Sequence, residues 1–229
     1  MPQFLQRFEA FYAPTRQGEL ALVAVAAMHH RLAWIHPFSD GNGRVARLHS
    51  HTLLHALELS HGVWSPLRGL ARTQPRYYAM LAGADEARRG DLDGRGNLSE
   101  RGLVDFIEYF LEVCIDQARF MTQLLNTQVM RDRLAACLAY ESQRADSAVR
   151  MEALLPLHYL FTTGSLERGQ FKLMTGLPAR TAERCLKGLL DRELLLSDTP
   201  KGALKFGTPL HALRFYFPAL WPEAEASVT

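Results

Sequence analysis

The feature that most constrains the fold is a sharp break between two helical patterns near residue 36. The stretch from Leu20 to Met28 is apolar on every side, which is typical of a helix buried in a protein core. Pro37 then ends that pattern, because proline fixes its own φ and favours extended geometry in the preceding His36. Helical spacing returns after Gly43, with apolar residues repeating from Val45 to Leu57. The sequence therefore predicts a buried helix, a tight loop and a second helix.

The loop itself collects groups that are suited to binding phosphate and moving a proton. His36 has an imidazole whose ordinary pKa of about 6.5 leaves a neutral base near neutral pH. Asp40 offers a hard oxygen ligand of the kind that Mg²⁺ takes together with substrate phosphates. Gly41 and Gly43 allow positive φ, and their N–H groups can form an anion-binding nest at the start of the second helix.

Two arginines, Arg44 and Arg47, are three positions apart and share one face of the second helix. Each guanidinium can bind phosphate oxygens in a forked arrangement. We expect Phe38 to anchor the loop to the core, because it is the only large apolar side chain between Pro37 and Val45. The Asp-Gly and Asn-Gly pairs also suit a plain hairpin turn, but a hairpin needs alternating strands on both sides, and the flanking sequence has helical spacing instead.

This segment resembles a long and specific family signature. The residues His36-Pro37-Phe38-Ser39-Asp40-Gly41-Asn42-Gly43-Arg44-Val45-Ala46-Arg47 match the HPFx[DE]GNGRxxR pattern of Fic-domain proteins at every specified position. Fic enzymes mostly transfer AMP from ATP to a Ser, Thr or Tyr hydroxyl of a target protein. The resemblance implies a nucleotidyltransferase that uses ATP and Mg²⁺, with His36 as general base and Asp40 as the magnesium ligand. It further implies a phosphate cradle of Gly41, Asn42 and Gly43, with Arg44 and Arg47 as partners of the outer phosphates.

A second stretch resembles the helix that lines the adenine pocket in the family. It reads Arg76-Tyr77-Tyr78-Ala79-Met80-Leu81, and Asp85 falls where some relatives place an Asn that contacts the base. An ordinary aromatic contact to the core explains Tyr77 and Tyr78 equally well, so both alternatives stay open. Further along, we expect Ser99 to cap the helix that follows the loop at 90–96.

Two parts of the family pattern have no full counterpart in this chain. No alternating segment before His36 matches the flap that pairs with the target's backbone, and the N-terminal part is short. The segment from Thr15 to Leu20 matches the family's inhibitory motif only in part, since it ends in Leu. We therefore expect AMP transfer that is weakened by poorer alignment of the target, without a built-in restraint on nucleotide binding.

Composition sets the remaining bounds. A formal charge of +2 is close to neutral, and it neither indicates nor forbids binding to nucleic acid. The three cysteines lie far apart without a CxxC pair, which is typical of a reducing compartment. No apolar run reaches the ~20 residues of a membrane span, and no signal-peptide pattern opens the chain, so we expect a cytoplasmic protein without membrane contact.

The periodicity predicts two domains. Helical patterns fill residues 1–143, which agrees with the helical bundle of the Fic fold, and the polar stretch at 143–149 predicts a linker. Residues 150–222 predict two short helices, a third helix that begins at Pro178, and a strand, turn and strand. This order resembles a winged helix. The predicted fold class is therefore mainly α, a Fic helical bundle followed by a small winged helix-turn-helix domain.

The second domain suggests an alternative function. Basic side chains lie on the predicted third helix and wing: Arg180, Arg184, Lys187, Lys201 and Lys205. Such a row suits the phosphates of double-stranded DNA, although Glu183 and Asp191 weaken the positive field and winged helices also dock proteins. The alternative is a nucleotide-sensing transcription regulator with a degenerate Fic core. The intact His36 favours the enzyme, because a sensor has no need of a base.

Overall fold

The computed structural model describes residues 2–12, 20–60 and 63–220, which fold into two compact units divided between Thr122 and Gln123. Helices predominate in both units and a small sheet lies in the second, which confirms the predicted mainly-α fold class. No described helix is both long enough and apolar enough to cross a membrane. Residues Thr15 to Glu19 of the partial inhibitory motif lie outside the described residues.

The first unit is a helical bundle. Its described helices are α1 (Pro2–Tyr12), α2 (Leu20–Ile35), α3 (Asn42–Ala56), α4 (Pro66–Arg72), α5 (Gln74–Asp85) and α6 (Glu100–Leu124). Helix α2 is central and packs against α1, α3 and α5, as its all-round apolar sequence predicts. Its Met28 shares the core with Leu54, Phe106 and Phe110, and burying each such side chain contributes about 1.5–3 kcal/mol.

The loop before α6 is closed by a carboxylate and a hydroxyl. Ser99 Oγ accepts the backbone N–H of Gly102 at 3.0 Å, which confirms the predicted cap. Asp93 accepts the backbone N–H groups of Arg101 and Arg89 at 2.9 and 3.0 Å, and these bonds lower the pKa of Asp93 to about 2. The ends of α5 and α6 are thereby held at a fixed separation.

The second unit combines helices with a three-stranded sheet. Its described elements are α7 (Thr127–Ser142), α8 (Leu154–Thr163), β1 (Ser165–Leu166), α9 (Arg168–Thr175), α10 (Ala179–Asp191), β2 (Leu195–Leu196), β3 (Leu204–Phe206) and α11 (Leu210–Tyr216). Strand β3 is central and pairs antiparallel with both neighbours, with Ser165 opposite Lys205 and Leu195 opposite Phe206. The order of α8, α9, α10 and the β2–β3 hairpin follows the sequence prediction, while β1 and α11 are additions to it.

Helix α7 belongs to the second unit, whereas the sequence analysis assigns residues up to 143 to the first domain. The buried Met130, Leu134 and Leu138 of α7 pack in one core with Leu157 of α8. Val149, at the end of the predicted linker, is also buried in that core. The polar stretch at 143–149 is therefore a connection within the second unit, and the chain divides ahead of it.

Candidate active site

The loop between α2 and α3 begins with His36 in an unusual backbone conformation. Helix α2 ends at Ile35, as predicted, but His36 has a φ of 53° and is left-handed rather than extended. The reason is the hydrogen bond from the His36 N–H to the carbonyl of Leu32 at 3.3 Å, which closes the last turn of the helix. Left-handed backbone is strained for histidine, and the His36 side chain is exposed.

Asn42, rather than Phe38, fixes the loop. The side chain of Phe38 is 52% exposed, so the prediction that it anchors the loop in the core is wrong. The backbone N–H of Phe38 instead donates to Asn42 Oδ1 at 2.8 Å, and its carbonyl accepts from Asn42 Nδ2 at 2.6 Å. Because both polar atoms of the buried Asn42 amide form hydrogen bonds within the loop, this residue stabilises the backbone of the predicted phosphate cradle.

The start of α3 presents free N–H groups. Gly41, the residue before the helix, has a φ of 84°, and no side-chain hydrogen bond caps the described first turn. Uncapped N–H groups and the helix dipole together favour an anion. Gly43 lies within the helix, without the positive φ that the sequence allows. A Cβ at Gly41 or Gly43 would lie 3.1 Å from Arg44 or 3.2 Å from Arg47, so both guanidinium groups fold back over the helix start.

Asp40 and Arg44 form an exposed ion pair beside this helix start. Their Oδ2 and Nη2 atoms are 3.1 Å apart, and the side chains are 91% and 75% exposed. An ion pair this exposed stabilises the fold by about 0–1 kcal/mol, so a phosphate that binds Arg44 can replace Asp40 as its partner at little cost. Within the described residues, no cluster of three or more His, Cys, Asp or Glu side chains forms a metal site. The single open carboxylate of Asp40 fits Mg²⁺, which takes one or two protein carboxylates and fills its shell with phosphate oxygens and water.

A cleft of about 310 Å³ lies next to the loop. Its lining consists of His30, Ala33, Trp34, His36, Asn42, Gly43, Arg47, Tyr77, Tyr78, Leu81 and Asp85. The structure thus brings seven of the predicted site residues together around one space: His36, Asn42, Gly43, Arg47, Tyr77, Tyr78 and Asp85. The other three predicted residues, Asp40, Gly41 and Arg44, are not in this lining. The volume suits a small ligand.

The two tyrosines of α5 have different environments. Tyr77 is 2% exposed, and its hydroxyl lies 2.8 Å from His29 Nε2. Burial raises the pKa of Tyr77, against the opposing effect of the Arg47 guanidinium on its hydroxyl. Tyr78 is 54% exposed and borders the cleft. Tyr77 is therefore a core residue that borders the cleft, while the ring of Tyr78 is accessible from it.

Asp85 has a buried partner that sequence reasoning does not assign to the site. His30 Nε2 lies 2.9 Å from Asp85 Oδ1, and the side chains are 1% and 46% exposed. Burial lowers the pKa of His30, against the opposing charge of Asp85. The neighbouring His29 is likewise buried. The signal for both is in the sequence, since two adjacent histidines directly follow the apolar run that ends at Met28.

The predicted DNA-binding residues lie in the second unit. Arg180, Arg184 and Lys187 are exposed on α10, opposite the buried stripe of Ala182, Cys185, Leu186 and Leu189. Lys201 is exposed near the turn of the β2–β3 hairpin, and Lys205 is paired with Asp198 at 2.6 Å. On α10, Glu183 is paired with Lys172 at 2.8 Å. The helix therefore keeps its row of cations, while half of the predicted wing charge is neutralised.

The exposed His36, the uncapped start of α3 and two arginines lie close together in a group that suits an anion such as phosphate. In a comparison with known proteins, the sequence model of the Fic/DOC family matches residues 1–54. Over this segment, which includes His36 to Arg47, the chain is similar to Fic-domain proteins.

Curated relatives extend the match downstream. The chain is 32% identical over 126 residues to proteins named "Protein adenylyltransferase Fic" from Drosophila grimshawi and Drosophila melanogaster. The matched segment is 55% of this chain but 23% and 22% of those two proteins. The chain therefore spans less than a quarter of the length of these relatives.

Proposed function

We propose that the chain is a protein adenylyltransferase, which moves AMP from ATP to a Ser, Thr or Tyr hydroxyl of a target protein. The observation that carries the proposal is the meeting of the exposed His36, the uncapped start of α3 and Arg47 around one cleft. The relatives named as adenylyltransferases support the same reaction. A kinase of the same family carries Lys at the position of Gly43, so the glycine favours transfer of AMP over transfer of phosphate.

The chemistry follows from the placement of these groups. The phosphates of ATP bind at the first turn of α3, where backbone N–H groups, Arg44 and Arg47 bind their oxygens. His36 takes the proton of the attacking hydroxyl. The hydroxyl oxygen forms a bond to the α-phosphorus, and the bond from that phosphorus to pyrophosphate breaks. Asp40 would hold Mg²⁺ together with the phosphates, and the ion would offset the charge of the leaving pyrophosphate.

The far end of the cleft suits the nucleotide base. The exposed ring of Tyr78 and the side chain of Leu81 supply flat and apolar surface. Asp85 Oδ1 is engaged by His30, which leaves Oδ2 as an acceptor. An exocyclic amino group, as in adenine, is the donor that such an oxygen selects, whereas uracil offers none at that position.

Position-specific labelling of ATP tests the reaction class. Purified protein is incubated with Mg²⁺ and ATP that is labelled on either the α- or the γ-phosphate, and label on the protein is measured. Label from the α-phosphate alone is expected, with release of pyrophosphate. Label from the γ-phosphate would show phosphate transfer, and absence of label from both would contradict the proposed activity of this chain.

A second candidate function is binding of double-stranded DNA through α10. The observation that favours it is the Lys172–Glu183 pair, which removes the acidic interruption from the row of Arg180, Arg184 and Lys187. Within the described residues, those three side chains form no ion pair. Cations on one helix face bind phosphates and make the affinity dependent on salt.

Electrophoretic mobility shift assays test this candidate. The chain is expected to shift duplex DNA at low salt, and the double variant Arg184→Ala/Lys187→Ala to lose the shift. Lys205→Ala serves as the matched control, because Lys205 is already neutralised by Asp198. No shift at low salt, or an unchanged shift in the double variant, would contradict DNA binding through this face.

A further inference from the structure

We propose that a buried hydrogen-bonded chain of Ser50, His29 and Tyr77 positions the guanidinium of Arg47 for the outer phosphates of the nucleotide. The inference rests on the proposed function, since it assigns these phosphates to Arg47. The three side chains come from α3, α2 and α5, and each is 2% exposed or less. They would act on the reaction through Arg47 alone and are positioning residues.

The direction of each hydrogen bond in this chain follows from the number of protons available. Ser50 Oγ donates its single proton to the carbonyl of Ala46 at 3.0 Å. In this arrangement Ser50 Oγ accepts from His29 Nδ1, which lies 2.8 Å away, and Nδ1 carries the proton of the neutral ring. His29 Nε2 is left as an acceptor and takes the hydroxyl proton of Tyr77 at 2.8 Å. The lone pairs of the Tyr77 hydroxyl are thereby left available to the guanidinium of Arg47, which lines the same cleft.

The polarity of the chain is stable because His29 stays neutral. Burial and, after it, the charge of Arg47 lower the pKa of His29 to about 3. A charged ring would donate from both nitrogens and would force the Tyr77 proton toward the guanidinium. A neutral ring in one tautomer leaves Tyr77 an acceptor for Arg47 throughout the neutral pH range.

Arg47 lies in the cleft that Tyr77 lines, beside the start of α3. Its guanidinium acts to lower the pKa of the Tyr77 hydroxyl. A Cβ built on Gly43 would lie 3.2 Å from Arg47 Nη1, which places the same group over the first turn of the helix. A long side chain that is already fixed loses little conformational entropy when a ligand binds, so the buried chain preorganises the site.

This role differs measurably from plain core packing. Loss of packing would weaken the binding of every nucleotide, because the whole cleft would loosen. Loss of Arg47 positioning would weaken the binding of ATP and leave the binding of AMP unchanged, because AMP lacks the β- and γ-phosphates that Arg47 is proposed to bind. The ratio of the two dissociation constants therefore separates a positioning role from a structural one.

The test is isothermal titration of the full chain with ATP and with AMP in the presence of Mg²⁺. Tyr77→Phe is expected to weaken the binding of ATP about five- to tenfold, as for loss of one hydrogen-bonding hydroxyl. The dissociation constant for AMP should be unchanged. Arg47→Ala is expected to show the same selectivity, and adding Tyr77→Phe to it should cause no further loss. Tyr109→Phe is the matched control, since Tyr109 is a 1% exposed core tyrosine whose hydroxyl bonds Thr73 at 2.6 Å.

Several results would overturn the inference. Equal weakening of ATP and AMP by Tyr77→Phe, or a full additional loss of ATP binding in the Arg47→Ala background, would reject the positioning role and leave the proposed function standing. Absence of ATP binding by the unaltered chain would reject the proposed function and the inference with it. If Tyr77→Phe does not fold, Ser50→Ala carries the test, because it removes the acceptor that fixes the His29 tautomer and is expected to cause a smaller loss that is again selective for ATP.

Discussion

The side-chain amide of Asn42 forms two hydrogen bonds with the backbone of Phe38. Its Oδ1 accepts from the Phe38 N–H at 2.8 Å, and its Nδ2 donates to the Phe38 carbonyl at 2.6 Å. The ring that results fixes the path of the chain between His36 and the first turn of α3. It also explains how the loop stays ordered while the Phe38 side chain is exposed. The distance between His36, the proposed base, and the start of α3, the proposed phosphate site, therefore depends on a single amide.

Asn42→Asp is expected to break this ring with almost no change in volume. The new carboxylate turns an oxygen toward the Phe38 carbonyl, and we expect a loss of about 1–3 kcal/mol in the free energy of unfolding. Displacement of His36 should slow AMP transfer about 100-fold. Denaturant titration and the rate of α-label transfer measure the two effects.

Asn126→Asp is the control for that experiment. Asn126 caps α7 and only accepts, from the N–H groups of Gln128 and Val129 at 3.0 and 3.1 Å. A carboxylate accepts equally well at a helix start, so stability and transfer should be unchanged or slightly better. Equal losses in the two variants would show that the amide donor of Asn42 has no special role.

The buried His29 predicts a loss of stability in mild acid. Its pKa in the folded protein is about 3, below the ordinary value of about 6.5, so the unfolded chain binds the extra proton between these values. The free energy of unfolding should therefore be highest above pH 6.5 and fall toward pH 3, by at most about 1.4 kcal/mol per pH unit from this group. Burial lowers the pKa of His30 and acts in the same direction.

Urea titrations of the unaltered chain and of His29→Gln between pH 5 and pH 7.5 check this expectation. The window lies above the range in which Asp93 titrates, since its pKa is about 2. The variant should be less stable at pH 7.5 and should show a shallower dependence on pH. The same slope in both proteins would show that His29 accepts a proton without unfolding.

Helices α5 and α6 approach so closely that one glycine has no substitute. A Cβ at Gly102 would collide with the backbone carbonyl of Gly83, whereas a Cβ at Gly83 has no described heavy atom within 4 Å apart from its own helical turns. Gly102→Ala should therefore cost about 1–3 kcal/mol of unfolding free energy through overpacking. Gly83→Ala should gain about 0.5–1 kcal/mol through helix propensity. Chemical denaturation measures both, and a gain from Gly102→Ala would refute the close approach.

The cysteines are expected to be unreactive in the folded chain. Cys114, Cys137 and Cys185 are buried and free, and burial raises the pKa of the first to about 12 and of the second to about 11. Because the thiolate is the reactive form, a disulfide reagent at pH 8 should label none of them in buffer and all three in denaturant. Rapid labelling of the native chain would show that one thiol is accessible.

The long helices could be predicted from the sequence, since α2 is apolar on every side and the apolar spacing of α3 and α6 indicates their buried faces. Helix α4 could not, because Pro66 and Gly69 in its seven residues suggest a loop. It forms because Ser65 caps it, accepting from Leu67 at 3.2 Å, and because Gly69 lets it pack on Val113. Strand β1 has two residues, and its pairing with β3 depends on contacts far along the chain.

The signature predicts which residues of the loop carry the proposed chemistry, but it does not predict how the loop is held in place. Nothing local distinguishes Phe38 as exposed, because the bonds to Asn42 that make an apolar anchor unnecessary depend on the fold of the loop. The left-handed His36 contradicts the local rule for a residue before proline, and it results from the last turn of α2. The position of the buried His29 ring depends on hydrogen bonds to Ser50 and Tyr77, which lie on two other helices.

Intact-mass measurement after incubation with Mg²⁺ and ATP tests the central claim, that His36 is the base for transfer of AMP. The unaltered chain and His55→Ala, which changes an exposed histidine at the far end of α3, should gain the mass of one AMP. His36→Ala should gain none, while its dissociation constant for ATP stays the same. Addition of AMP to His36→Ala at the rate of the unaltered chain would contradict the account.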